Sequence, residues 1–202
     1  MEKSFKKEAE GIYRLKIPFE SVYTSVFLVV GKDGVALVDA ATTTADVDEW
    51  ILPALARLGY ALKDIPYLVI THRHYDHAGG LARILEICPQ IEVVETAKPL
   101  FYGVSTYPLH GHAEHCVGVL CEQTNTLISG DGLQGNGLED YPCNVPYQEE
   151  YFATIARVKQ DERIQNLLFS HDYRPYNQDF VHGRKNVLQY VDDCLRYAKA
   201  NA

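Results

Sequence analysis

Short apolar runs separated by turn residues dominate the first forty positions. Residues 12–17 alternate roughly between apolar and polar side chains, and residues 22–30 form a β-branched and aromatic run. Residues 35–38 are apolar and follow the turn Gly31–Gly34. Alternation and β-branching favour strands, and a Gly-containing turn between two such runs favours a hairpin. Residues 11–39 are therefore predicted to form a strand followed by a hairpin, which ends at Asp39.

The apolar pattern then changes to a mixture of helical and strand periods. Val47, Ile51, Leu55 and Leu58 share one helical face, and Gly59 is suited to end that helix. Further helices are predicted over residues 81–88, about 148–158, and from near 183 to 198. Strands are predicted over residues 67–70, 91–94, 117–122, 126–129 and 167–169, and residues 98–108 are predicted to be an aromatic-rich loop.

The predicted strands share a feature at their ends, where side chains able to bind a metal recur. With a β-rich start and mixed elements after it, this order favours sheets covered by helices, with catalytic residues along one edge. No internal repeat or linker is visible, so residues 1–202 are predicted to form a single domain.

The composition of the chain limits the kinds of partner that we expect the protein to bind. A formal net charge of -8 disfavours a nucleic-acid backbone as partner, because phosphate binding relies on Lys and Arg clusters. The first residues lack the apolar core of a signal peptide, and no apolar run reaches the roughly 18 residues of a membrane span. The five cysteines are scattered without a CxxC pair, which favours reduced thiols. We therefore expect a cytoplasmic protein with a small-molecule substrate and neither nucleic acid nor membrane as partner, and we leave the oligomeric state open.

Histidines are concentrated where the strands end. Three of the eight lie within residues 72–77, directly after the apolar residues 67–70, and three more lie at positions 110, 112 and 115. Histidine and carboxylate side chains suit zinc and similar divalent ions. A single histidine is usually an ordinary core or surface residue, but this grouping predicts a metal site.

Five ordered motifs resemble those of the metallo-β-lactamase superfamily. The HxHxDH motif stands as residues 72–77, followed by Ala78-Gly79-Gly80. The remaining four are Leu37-Val38-Asp39-Ala40, Gly111-His112, Ser129-Gly130-Asp131 and Ser170-His171. The resemblance covers nearly the whole chain. It implies an α+β fold, a four-layer αββα sandwich with a dinuclear site at one edge of the two sheets.

The resemblance also implies roles for individual residues. His72, His74 and His112 would bind a first ion, Asp76, His77 and His171 a second, and Asp131 would bridge them. Asp39 would orient a ligand, and Asp76 would also be catalytic by orienting the attacking hydroxide or moving its proton. The resemblance gives no ligand role to His110 or His115, although His110 could substitute for His112 if the local register differs. His182 is expected to open the last helix. The cofactors would be two divalent ions, with zinc expected and iron or manganese compatible.

The chemistry expected from this resemblance is that of a metal-dependent hydrolase. A metal-bound hydroxide would attack a small thioester, ester or lactone, as in glyoxalase II-like members rather than in a classical β-lactamase. The alternatives are a persulfide dioxygenase with one iron, a phosphodiesterase, and a non-catalytic metal-binding module. Neither Cys116 nor Cys143 has a paired base visible in the sequence, so neither is expected to be a nucleophile.

The pocket walls are expected to come from the loops at residues 98–108 and 132–147 and from the hairpin near residues 22–25. Tyr102, Tyr107, Tyr141 and Tyr147 are the candidate lining residues, although each could equally be an ordinary core or surface aromatic.

Overall fold

The structure, a computed structural model, describes residues 2–133, 145–173 and 178–200, which contain strands and helices in a mixed order. The strands are β1 (Lys6–Ala9), β2 (Ile12–Phe19), β3 (Val22–Val30), β4 (Val35–Val38), β5 (Tyr67–Val69), β6 (Glu92–Val94), β7 (Pro99–Phe101), β8 (Val104–Pro108), β9 (Val117–Cys121), β10 (Thr126–Gly130), β11 (Asn166–Tyr173) and β12 (Gln178–His182). The α-helices are α1 (Thr44–Asp46), α2 (Leu52–Arg57), α3 (Tyr75–Ala78), α4 (Leu81–Ile87), α5 (Gln148–Gln160) and α6 (Arg184–Ala200). A π-helical segment, Val47–Ile51, joins α1 to α2, and 3-10 turns lie at Leu62–Asp64 and Glu122–Thr124.

The strands form two six-stranded mixed sheets, each built from one continuous part of the chain. The first sheet has the order β1-β2-β3-β4-β5-β6, and the second has the order β12-β11-β10-β9-β8-β7. In the first sheet β4, β5 and β6 are parallel, whereas β1 to β4 pair antiparallel. In the second sheet β10 and β11 are parallel and the other pairs are antiparallel.

Strand alternation divides the apolar side chains among three cores. Leu28 and Leu37 face the helices of the first half, while their strand neighbours Phe27 and Val38 face the second sheet. Leu127 of β10 packs with α5 and α6 in a third cluster. Three cores between four layers give an αββα sandwich, which confirms the predicted fold class.

The helical segment that contains Pro53 differs from the prediction. It begins at Thr44, where the Thr43 hydroxyl accepts a hydrogen bond from the Asp46 amide at 3.2 Å and Asp46 accepts one from the Thr43 amide. The Leu52 amide donates to the Val47 carbonyl, one residue further back than in an α-helix. This π turn lies directly before Pro53, which lacks an amide and crowds the preceding turn.

The prediction of a loop over residues 98–108 was wrong, because β7 and β8 form a hairpin there. Its Phe101 ring stacks on Tyr67, with 6.4 Å between centroids, and covers Gly31 and Gly34, where an added Cβ would meet it at 2.6 and 2.5 Å. These contacts come from distant positions, so local sequence does not reveal them. The short strands β1 and β12 were also not predicted, whereas the strands near residues 67, 92, 117, 126 and 167 and the helices near 81, 148 and 184 were predicted to within a few residues.

Strand direction brings the ligand-type residues to one edge. The carboxyl ends of β4 and β5 meet there because the two strands are parallel. In the second sheet β8, β10 and β11 run in one direction, since β9 is antiparallel to both β8 and β10. The turn between β2 and β3 and the start of β12 lie at the same edge. Among the described residues, no helix is long and apolar enough to cross a lipid bilayer.

Gly79 makes the backbone contact that fixes the end of α3. Its amide donates to the Ala41 carbonyl at 3.0 Å, and the Ala40 amide donates to the His77 carbonyl at 2.7 Å. A Cβ on Gly79 would lie 1.8 Å from the Thr42 carbonyl oxygen, a backbone atom that cannot move independently. Only glycine allows the two segments to approach this closely.

We predict that Gly79→Ala lowers the free energy of unfolding by about 3 kcal/mol, because overpacking forces the backbone apart. The matched control is Gly59→Ala, where φ is +82° but no atom lies within 4 Å of the added Cβ, so that only backbone strain of about 1 kcal/mol applies. Denaturant unfolding of both variants measures the difference. Equal losses would show that the contact with Thr42 is unimportant.

Candidate metal centre

Seven side chains converge at the common edge in two groups. In the first ligand group, His72, His74 and His112 offer ligand atoms that all lie within 4.8 Å of one another. The second ligand group meets the same criterion and consists of Asp76, His77, Asp131 and His171. His74 is exposed, whereas the other six are buried, so the first group opens to solvent. The structure thus brings together all the residues that the sequence resemblance implied as ligands.

Asp131 lies between the two groups. Its Oδ1 atom is 3.5 Å from Nε2 of His77 and 3.4 Å from Nε2 of His171. Its Oδ2 atom is 3.8 Å from Nε2 of His112, on the side of the first group. One carboxylate oxygen therefore faces each group, as a bridging ligand requires.

Within each group, ring nitrogens face one another. Nε2 of His77 lies 3.2 Å from Nε2 of His171, and Nε2 of His112 lies 3.0 Å from Nδ1 of His74. Asp76 Oδ2 is 3.1 Å from His171 Nε2 and 3.4 Å from His77 Nε2. Nitrogens and carboxylate oxygens that point at a shared position are the donor set that divalent transition metals prefer.

Asp39 holds the loop that carries four of these residues. Its carboxylate accepts hydrogen bonds from the Thr71 amide at 2.8 Å and the Thr71 hydroxyl at 2.9 Å, and it lies 2.8 Å from His77 Nδ1. Asp39 itself adopts a φ of 66°, a strained conformation for a residue other than glycine. With Nδ1 directed at Asp39, His77 presents Nε2 to the second group.

His171 is oriented by backbone rather than by a carboxylate. Its Nδ1 donates to the Tyr23 carbonyl oxygen of β3 at 2.7 Å, which leaves Nε2 directed at Asp76 and Asp131. Gly130 lets β10 end close to Thr71, because its φ is 54° and an added Cβ would lie 2.9 Å from the Thr71 side chain. The second sheet thereby places Asp131 and His171 beside the loop that carries the ligand residues of the first sheet.

The electrostatics of the second group show how strongly it favours positive charge. Burial opposes the charged form of His77, but Asp131 and Asp39 outweigh it and raise its pKa well above the ordinary value. Burial likewise opposes a charge on His171, yet Asp131 and Asp76 raise its pKa to about 9. The pKa values of Asp76 and Asp131 are lowered, because these two histidines outweigh the effect of burial.

The electrostatics of the first ligand group differ from those of the second, as the pKa of His72 shows. Its pKa falls to about 2, chiefly because burial disfavours the charged ring and because His77 lies beside it. His72 therefore keeps a neutral ring, the form that binds metals. Its Nε2 atom is buried without a hydrogen bond to any described residue. An unpaired buried polar atom is costly, and a bound cation would satisfy it, so the residues fit a divalent metal ion.

The other histidines singled out in the sequence lie outside both groups. His110 Nδ1 lies 3.4 Å from the Cys116 amide, and its ring is 6.4 Å from that of His115. His182 ends β12 instead of opening the last helix, and its Nδ1 faces Asn166. The expectation for His182 was therefore wrong, because an additional strand separates β11 from α6.

Two of the candidate pocket tyrosines were wrongly assigned. Tyr102 lies in the β7–β8 turn at the start of β8, the edge opposite the ligands, and is 80% exposed. Tyr107 is buried in the core beneath α5 and has no open pocket to line. Tyr147 precedes α5 and donates its amide to the Gly111 carbonyl, next to His112, which keeps it beside the site. Tyr141 and Cys143 lie outside the described residues.

The β2–β3 hairpin supplies residues that the sequence did not single out. Phe19 lies 5.8 Å from the His171 ring and 5.7 Å from the Tyr75 ring, centroid to centroid. Tyr75 is 58% exposed, and its hydroxyl donates to Glu20 at 3.2 Å. Phe19 and Tyr75 form an aromatic rim at the second group. Only the position of Tyr75 inside the HxHxDH motif could have indicated this rim.

Comparison with known proteins adds sequence evidence for the first half of the chain. Residues 21–103 match the profile of the metallo-beta-lactamase superfamily. A probable metallo-hydrolase of Bacillus subtilis, YqjP, is 38% identical over 68 residues, which cover 34% of this chain and 21% of that protein. A hydroxyacylglutathione hydrolase of Francisella philomiragia is 26% identical over 131 residues, which cover 56% of this chain and 52% of the relative. The chain therefore spans about half the length of the second relative and about a fifth of the first.

Solved structures share the fold over nearly the entire chain. A metallo-beta-lactamase family protein of Thermus thermophilus superposes with a TM-score of 0.71 at 17% identity, covering 96% of this chain and 81% of that one. The mono-zinc form of the metallo-beta-lactamase FIM-1 of Pseudomonas aeruginosa has the same TM-score and identity and covers 98% and 95% of the two chains. The rubredoxin oxygen:oxidoreductase of Desulfovibrio gigas has a TM-score of 0.73 at 17% identity, covering 97% and 62%. The chain therefore has the fold of these metallo-beta-lactamase proteins, and its residues 21–103 match the sequence profile of the metallo-beta-lactamase superfamily.

Proposed function

We propose that this protein is a hydrolase that holds two divalent ions, zinc in the simplest case, and cleaves a small thioester, ester or lactone. The observation that carries the proposal is the position of Asp131, which directs one oxygen toward each ligand group. A protein that used a single ion would have no need of the complete second group. We place the first ion at His72, His74 and His112 and the second at Asp76, His77 and His171, with Asp131 shared.

The substrate class rests on the similarity to the hydroxyacylglutathione hydrolase, whose name describes hydrolysis of an acyl group carried by a thiol. The rim of Phe19 and Tyr75 would contact an apolar part of such a substrate beside the second group. The exposed edge of His74 leaves an approach from solvent. Nothing in this arrangement requires a polymeric substrate.

In the proposed hydrolysis, the residues of the protein bind the metal ions and transfer protons. When bound, two divalent ions lower the pKa of water and polarise the bond under attack. In the metal-free protein Asp76 is ionised, because hydrogen bonds from His171 and His77 overcome its burial. Its carboxylate can orient the attacking water and accept its proton. Asp39 and the Tyr23 carbonyl keep His77 and His171 oriented throughout.

A cysteine nucleophile is a poor alternative. Burial raises the pKa of the Cys116 thiol to about 12, so the thiolate is scarce at neutral pH. Cys88, Cys121 and Cys194 are buried as well. Among the described residues, the ligand groups are therefore the better source of nucleophilic chemistry.

The central test measures metal content and activity on the same preparation. We expect about two divalent ions per chain and turnover of thioesters, lactones or esters in a panel that also contains phosphodiesters and β-lactams. One iron per chain, with oxygen consumed on addition of glutathione persulfide, would support a persulfide dioxygenase instead. Turnover of phosphodiesters alone would replace the substrate class and leave the metal sites in place.

We predict that Asp131→Asn lowers kcat/KM at least about 100-fold and weakens binding of both ions, since the lost charge serves both groups. Asp33→Asn, an exposed carboxylate at the opposite edge, is the matched control and should retain activity and metal content. Metal titration followed by steady-state kinetics distinguishes the two variants. Loss of one ion only would refute a bridging role for Asp131.

Metal binding should depend on pH with a defined sign. In the metal-free protein the pKa of His77 is raised well above its ordinary value, chiefly by Asp131 and Asp39, and that of His171 is raised to about 9, so a proton must leave each ring before Nε2 binds an ion. Apparent affinity should therefore rise between pH 6 and pH 9. Calorimetry at pH 7 in two buffers of different ionisation enthalpy should detect proton release, and an affinity that is flat across this range would contradict the assignment.

A further inference from the structure

Three consecutive residues of β3 each form a hydrogen bond to the segments that carry the second ligand group. The Tyr23 carbonyl accepts from His171, Thr24 donates to the backbone of Asp76, and Ser25 donates to the backbone of Ser170. Thr24 and Ser25 are both completely buried. Fully buried hydroxyl groups are unusual among apolar core residues, because a β-branched or small apolar side chain would fill the same space equally well.

Ser25 connects the two sheets. Its hydroxyl donates to the Ser170 carbonyl at 2.7 Å, one residue before His171 in β11. The adjacent bond from His171 Nδ1 to Tyr23 has the same length of 2.7 Å and points in the opposite direction, from β11 to β3. The pair fixes both the position of β11 at this point and the rotation of the His171 ring.

Thr24 holds the ligand loop of the first sheet. Its hydroxyl donates to the Asp76 carbonyl at 2.9 Å. Asp76 lies in α3, a single turn of four residues that contributes little stability of its own. Through these two hydroxyls β3 fixes Asp76 and His171, whose ligand atoms approach to 3.1 Å although they belong to different sheets.

The start of β3 is itself immobilised. The Tyr23 hydroxyl donates to Asp179 of β12 at 2.5 Å, and Asp179 also forms an ion pair with the buried Arg14 of β2. The Arg14 guanidinium donates a further bond to the Asp179 carbonyl at 3.0 Å. The Tyr23 side chain is therefore anchored to β12, while its carbonyl oxygen contacts His171.

The first ligand group is supported by other bonds. The Val117 amide donates to the Thr71 carbonyl at 2.9 Å and joins the two sheets beside His72. The Thr71 hydroxyl lies 3.2 Å from His72 Nδ1. Among the described residues, no hydrogen bond links Thr24 or Ser25 to the side chains of the first group. Removing the β3 hydroxyls should thus affect the two groups unequally.

We propose that Thr24 and Ser25 are positioning residues that set the affinity of the second ion alone. The inference rests on the proposed function, because it requires that the protein binds two ions. Groups that orient metal ligands from outside typically contribute about 10- to 100-fold in affinity. Here the hydroxyls act on the backbone, and they hold together ligands of separate sheets.

The experiment is a zinc titration of the metal-free full chain, with stepwise dissociation constants from competition with a chelator. Thr24→Val and Ser25→Ala remove one hydroxyl each, and Thr24→Ser retains it. Thr126→Val is the matched control, since Thr126 is also buried and its hydroxyl donates to the Thr124 carbonyl at the far end of β10. Circular dichroism and thermal unfolding check that each variant is folded, and the near-isosteric Thr24→Val keeps the test valid if Ser25→Ala fails to fold.

We expect Thr24→Val and Ser25→Ala to weaken one of the two dissociation constants, that of the second ligand group, at least about tenfold and to change the other less than about twofold. Thr24→Ser and Thr126→Val should resemble the wild type. Unchanged constants, or equal weakening of both, would overturn the inference while leaving a two-ion wild type intact. A wild type that binds one ion only would refute the proposed function, and the inference with it.

Discussion

The carboxylate of Asp39 is the interaction on which the rest of the site depends. It is fully buried, and its contacts with Thr71 and His77 fix the loop between β5 and α3 at both ends of the HxHxDH motif. The positive φ of Asp39 shows that the fold tolerates local strain to place this group. Because the loop is short and rigid, the directions of four ligand side chains follow from one buried carboxylate and its partners.

The second constraint is the close approach of two sheets at that loop. Gly130 lacks a side chain where the Thr71 side chain comes near, and Gly79 lacks one where the Thr42 carbonyl does. The bonds from Val117 to Thr71 and from Ser25 to Ser170 cross from one sheet to the other. Buried hydrogen bonds of this kind add little net stability, but they specify one alignment of the layers. Metal ligands must be placed to within about half an ångström, so the alignment of the two sheets matters more for this site than the stability that these bonds add.

The ligand residues could be predicted from the sequence because their order along the chain matches a known set of motifs and because most of them follow a recognisable apolar strand. His112 follows β8, which was not predicted, so only its motif identified it. The αββα layers were predictable from the same motifs, because the resemblance that these motifs carry implies that fold. The hairpin at residues 99–108 could not be predicted, because Phe101 is held by Tyr67, Gly31 and Gly34, which are distant in sequence. Tyr102 and Tyr107 were misplaced as a direct result.

The supporting residues were harder still to predict. Nothing near Thr24, Ser25 or Asp179 distinguishes them from other polar residues in strands, and their roles depend on partners that are distant in sequence. Phe19 was counted only as part of a strand pattern, although it contacts a ligand histidine. Motifs therefore identify the groups that would touch an ion, whereas the groups that orient them become visible only when the sheets are packed.

The separation of the two sheets along the chain has a consequence for folding. The first sheet uses residues 6–94 and the second residues 99–182, so the molecule resembles a dimer whose subunits are covalently joined. Neither half contains a complete ligand group, because His72 and His74 need His112, and Asp76 and His77 need Asp131 and His171. Any ion bound at the edge would act as a cross-link between the halves and would slow their separation. The occupancy of the metal sites and the unfolding rate of the chain would then both depend on how firmly the two halves are held together.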